Sequence, residues 1–159
     1  MPMKIRLALL SLWLGAMAFF SFVVAPSAFA VLPSPQLAGN LVSRTLGVTE
    51  IIGIVLGAVL LILLLVARRP GRKAFLFELI TVALMTVSMI VSHFFVSQRL
   101  HAMRAEFGDI SALAATDQVR LAFNQLHQYS VWLMSFDILA ALVLIVILLR
   151  RSSAVHANA

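Results

Sequence analysis

Residues 48–67 read VTEIIGIVLGAVLLILLLVA, a run of Ile, Leu, Val and Ala whose only charged residue is Glu50. Its length points to its solvent, because about 20 helical residues cross the ~30 Å of hydrocarbon in a bilayer. In lipid only a helix or a closed barrel satisfies every backbone N–H and C=O. The run lacks the alternation of a barrel strand and is read as a membrane-spanning helix. Three further segments, 5–24, 75–96 and 129–149, have the same character. Together they predict an all-α fold, a polytopic membrane four-helix bundle that makes one domain of residues 1–159.

Composition agrees, since 62% of the 159 residues are hydrophobic and 11% charged, more apolar surface than one soluble core of this length hides. The net charge of +6 sits beside the apolar runs without interleaved aromatics. It therefore reads as a topology signal and not as a nucleic-acid surface. The chain has no cysteine, which removes disulfides, thiolate metal sites and thiol nucleophiles.

Lys4 and Arg6 lie at the start of the first segment, Arg68, Arg69, Arg72 and Lys73 join the second to the third, and Arg150 and Arg151 follow the fourth. These eight basic residues face Arg44, Arg99, Arg104 and Arg120 on the other side, so both termini are expected in the cytoplasm, in a cell (inner) membrane. Ser34-Pro35 is a helix-start signal well ahead of Val48. The chain between Val96 and Tyr129 keeps a helical pattern, broken around Gly108 and Asp109, with Thr116 or Asp117 capping the last helix. A long helical outer hairpin between the third and fourth helices follows. The basic start and Ala28-Phe29-Ala30 look like a signal peptide, but the apolar stretch exceeds the about 7–15 residues of a signal core and is read as a retained helix.

Trp13, Gly15, the cluster Phe19, Phe20 and Phe22, then Ala25-Pro26, Phe29 and Ala38-Gly39 form one patch. Phe123, Leu126-His127 and Ser130, a Phe-x-x-x-His-x-x-Ser segment, form a second, with Arg99 and Arg104 after the third span. Both patches resemble the transmembrane protein 205-like family, a domain of unknown function. The resemblance implies a four-helix membrane domain that retains its first helix, and supplies no reaction. Where the family often carries Asn about two turns after the His, this chain has Met134, and Asp137 follows one turn on.

Asp137 is the candidate intramembrane polar residue, because a carboxylate within a span costs about 2.5–3.5 kcal/mol on insertion scales. Two registers of the helix pair offer it Ser88 or Thr81, which share a face of the third helix with Ser92. It serves either a proton or cation relay or a hydrogen bond between helices. His93 and His127 come to similar heights in an antiparallel hairpin, which raises a haem- or metal-binding alternative. Glu50 and Glu78 are read as first-turn carboxylates stabilised by the helix dipole. Gly53 and Gly57 make a GxxxG step, and Gly15 a small face on the first helix, all read as helix packing.

No nucleotide loop, zinc signature or catalytic triad is present in the sequence. The expected function is that of a non-enzymatic membrane component acting through helix packing or partner binding, with no cofactor. Its partners would be the lipid bilayer and another membrane protein or a homo-oligomer, with no nucleic acid. A small proton-coupled or solute transporter using Asp137 is the first alternative, and a redox subunit using His93 and His127 the second.

Overall fold

A computed structural model describes residues 2–66 and 72–157, so Arg68 and Arg69 of the basic connection lie outside the described residues. Helix α1 (Pro2–Phe19), a π-helical turn (Phe20–Val24) and α2 (Ala25–Val31) form the first long helix. Pro26 accounts for the π turn. It has no N–H for the carbonyl four residues back, and its ring clashes there; the widened turn instead sends the Ala25 N–H to the Phe20 carbonyl, five residues back. Ala28-Phe29-Ala30 thus continues the helix.

Helix α3 (Pro35–Val66) begins at the Ser-Pro signal, the Ser34 hydroxyl accepting the Leu37 N–H at 3.2 Å. Then come α4 (Arg72–Val91), a second π-helical turn (Ser92–Ser97) and α5 (Gln98–Phe107). Gly108 ends α5 at φ +68°, a left-handed conformation that suits glycine. A 3-10 turn (Ile110–Ala112) leads to α6 (Gln118–Ala157). The Asp117 carboxylate caps α6, accepting from the Val119 N–H at 2.8 Å. Arg120 fastens the turn by donating to the Leu113 carbonyl at 2.6 Å.

The described chain has no strand and four helices long and apolar enough to cross a membrane, Met3–Val31, Pro35–Val66, Arg72–Phe107 and Gln118–Arg151. Each is longer than the apolar segment that announced it, because further helical turns extend it at one or both ends. The helices close a ring in which α1 meets α3, α3 meets α4, α4 meets α6 and α6 meets α1. Leu10, Trp13, Met17, Leu60, Met85 and Leu144 fill its centre. Outside, Phe22, Ile62, Phe95 and Leu139 are all 60% or more exposed. An exposed apolar belt, with Glu50 and Asp137 buried in the interior, departs from the pattern of a water-soluble bundle and suits an apolar solvent.

Gly53 and Gly57 pack within the chain. A Cβ on Gly53 would stand 2.8 Å from Trp13 Nε1 and 3.1 Å from Met89 Sδ, and one on Gly57 would collide with Thr86. Gly15 is a correction to the packing expectation: it is exposed, and a Cβ there would meet nothing within 4 Å.

Candidate functional site

The helices draw four sets of polar side chains inward. At the end of the bundle that carries the chain termini, Arg6 on α1 donates through Nη1 to Glu78 Oε1 on α4 at 2.8 Å, with both side chains buried. The helix-dipole reading of Glu78 is thereby corrected, since its partner is a guanidinium 72 positions away. Arg6 Nε has no partner among the described residues.

Further along, Ser88 of α4 donates to Asp137 Oδ2 on α6 at 2.9 Å. Of the two registers left open by the sequence, this is the Ser88 one. Thr81 instead donates to the carbonyl of Phe77 in its own helix at 2.8 Å. Asp137 is 1% exposed, and its Oδ1 has no partner among the described residues.

Glu50 is 0% exposed on α3 and occupies the centre of a third set. Its Oε1 accepts from Ser92 at 2.5 Å and Ser97 at 2.8 Å, and its Oε2 lies 3.0 Å from His93 Nδ1. The π turn explains this convergence. Residues five apart are rotated by about 140° around a regular α-helix, whereas i to i+5 bonding places them nearly one above the other, so Ser92 and Ser97 address one oxygen. The dipole reading of Glu50 is also corrected: α3 starts at Pro35, and Glu50 sits deep within it. Ser92, expected on the face serving Asp137, serves Glu50.

The fourth set opens onto space. A cavity of about 420 Å³ lies at the hairpin end between the first helix, α3, α5 and α6, with Arg104, His127, Ser130 and Ser43 on its polar side. Phe20, Leu46, Met134 and Ile138 line its apolar side, and exposed Phe22, Phe29 and Val131 lie on its outer wall. Arg104 donates to the Ser43 hydroxyl, and its guanidinium carbon stands 4.8 Å above the Phe123 ring. On the other side of Arg104 lies a smaller cavity of about 120 Å³, lined by Gly39, Asp109 and Phe123 among others.

The two separate sequence patches, one around Ala25-Pro26 and the other around His127 and Ser130, therefore meet around Arg104. Arg99 does not join them; it is exposed and lines neither cavity. The two histidines have different neighbours: His93 faces Glu50, while His127 lines the larger cavity. Among the described residues no group of three His, Cys, Asp or Glu stands together to hold a metal. Sequence reasoning missed the Arg6–Glu78 pair and the Glu50 cluster, although the lone charge within residues 48–67 was a signal for the latter. The larger cavity thus sets a cation and hydroxyls beside an apolar wall.

Residues 8–108 match the family described as "Domain of unknown function (DUF4149)". An "Uncharacterized protein" of Aquifex aeolicus (strain VF5) is 36% identical over 105 residues, covering 66% of this chain and 74% of that protein. No solved structure matches.

Proposed function

The chain belongs to the family of the domain of unknown function DUF4149, and from that premise we propose that it is a non-enzymatic membrane protein that binds a second membrane component at the hairpin-end cavity. One observation carries this reading. The other three inward-facing sets close on themselves, Arg6 with Glu78, Ser88 with Asp137, and Glu50 with Ser92, His93 and Ser97, whereas Arg104, His127 and Ser130 converge on open space. Convergent polar groups in an otherwise apolar hollow are the usual form of a binding site. The resemblance to transmembrane protein 205-like proteins belongs to this proposal, as do residence in a cell inner membrane and cytoplasmic termini. The topology is supported by the distribution of basic residues, and reporter fusions at either terminus test it.

Photo-crosslinking tests the binding itself. Benzoylphenylalanine at Phe22 or Val131, on the outer wall of the cavity, is expected to give a discrete adduct in cell membranes that the same probe at exposed Val59 does not give. Equal labelling from all three positions would remove the reason to assign binding to this cavity.

A transporter is the second reading, favoured by the unpartnered Asp137 Oδ1 and by the functional weight of intramembrane carboxylates. It expects Asp137→Asn to abolish uptake or efflux while the protein still folds. A structural role expects only a small stability loss, because the amide oxygen still accepts from Ser88.

A further inference from the structure

We propose that the cavity beside Arg104 takes a membrane amphiphile with an acidic headgroup, the headgroup meeting Arg104, His127 and Ser130 and the chain lying along Phe20, Met134 and Ile138. This rests on the binding reading above and adds the class of ligand.

Charge supplies the first argument. A guanidinium remains ionised in proteins, and a charge held in apolar surroundings requires a counter-charge or a dense set of hydrogen bonds. Arg6 has Glu78, but among the described residues no carboxylate lies within ion-pair distance of Arg104, which has one hydroxyl, Ser43, and one ring face, Phe123. Asp109 lines the smaller cavity on the other side of Arg104 but forms no ion pair with it; its Oδ1 accepts instead from the Ser111 N–H at 3.0 Å and the Ser111 hydroxyl at 2.5 Å. The missing negative charge therefore comes from outside the chain. Ser130 is 6% exposed, and neither its hydroxyl nor the His127 ring has a hydrogen-bond partner among the described residues. Both are free to face an anion that Arg104 attracts.

Shape supplies the second. The volume of about 420 Å³ falls in the ~300–1,000 Å³ range of small-molecule sites. A free anion would fill only the polar corner and leave the aromatic wall uncovered. The outer wall is made by Phe22, 72% exposed, and Phe29, 57% exposed, on the apolar flank of a helix long enough to span a bilayer. A ligand entering there arrives from lipid, charged end toward Arg104 and chain toward the hydrocarbon. Residues of the π turn at Phe20–Val24, with Pro26 after it, line this wall.

The test uses the full chain in mild detergent and three probes: oleoyl lysophosphatidic acid, monoolein, which has the same chain and no phosphate, and inorganic phosphate. Binding is read by native mass spectrometry and tryptophan fluorescence. Lysophosphatidic acid is expected to bind one per chain, monoolein about tenfold more weakly, and phosphate alone not at all, since a charge-assisted hydrogen bond is worth about one factor of ten in affinity. Arg104→Gln is expected to lower lysophosphatidic acid affinity about tenfold and leave monoolein unchanged, while Arg44→Gln, an exposed charge on α3, changes neither. His127→Phe, at an exposed position away from the Ser43 and Phe123 contacts, is expected to weaken lysophosphatidic acid binding about threefold, and keeps the proposal testable should Arg104→Gln not fold. Equal binding of lysophosphatidic acid and monoolein, or an equal loss in Arg44→Gln, overturns the acidic-headgroup assignment; the crosslink at Phe22 and Val131 would still stand. Loss of that crosslink with lysophosphatidic acid binding intact would instead move the ligand to another site.

Discussion

Glu78→Ala is expected to destabilise the bundle by about 3–5 kcal/mol, because it leaves a buried guanidinium without its counter-charge. Arg6 and Glu78 have side chains 7% and 4% exposed and meet at 2.8 Å, so solvent does not compensate when one is removed. The pair links the first helix to α4 at the terminal end of the bundle. Its net worth is a different quantity from the cost of breaking it. Arg6→Leu combined with Glu78→Leu removes both charges and both desolvation costs, and is expected to return to within about 1–2 kcal/mol of the parent. Unfolding midpoints in mixed detergent and SDS micelles read all three proteins. A Glu78→Ala loss below about 1 kcal/mol would show that the pair behaves as a solvated surface bridge.

A loss of about 3 kcal/mol is likewise expected for Glu50→Ala, where the Ser92 and Ser97 hydroxyls and the His93 ring lose the group they face. Each unsatisfied buried donor costs about 1–3 kcal/mol, and the sum is reduced because the Ser92 and Ser97 hydroxyls can turn back to carbonyls of their own helix. Glu50→Gln should lose about half as much, its amide oxygen able to replace the Oε1 that accepts from both serines. The π turn adds a second readout. With its acceptor gone, nothing holds Ser92 and Ser97 on the same side, and the turn is expected to relax toward α-helical pitch. Backbone amide exchange across residues 92–97 would report this as a local gain or loss of protection. Unchanged stability and unchanged exchange in Glu50→Ala would mean that the carboxylate does not organise the turn.

The segments around residues 5–24, 48–67, 75–96 and 129–149 were legible because transfer into an apolar solvent depends on composition summed over a window, and that sum needs no knowledge of neighbours. The start of α3 at Pro35, the break around Gly108 and Asp109 and a cap at Thr116 or Asp117 were legible for a related reason. Each is settled by a side chain and backbone groups two or three positions away, as in the Ser34–Leu37 and Asp117–Val119 bonds.

Asp137 marks the border between the two kinds of evidence. Its presence within a span is plain in the sequence, and helical spacing narrowed its partner to Ser88 or Thr81. Only the register of α4 against α6 chose Ser88. Glu50 and Glu78 lay beyond that border. Their partners are 42 to 72 positions away, and Ser92 with Ser97 share a face only because a π turn rotates one onto the other.

The sequence by itself determined the apolar character of the helices, their number and the signals that start α3 and end α5, because those follow from local solvation and backbone capping. The tertiary structure decided which polar groups satisfy one another and which, with Arg104 at their centre, stand around a cavity. Those outcomes depend on the rotation and register of one helix against another, which two π turns shift and no single segment encodes.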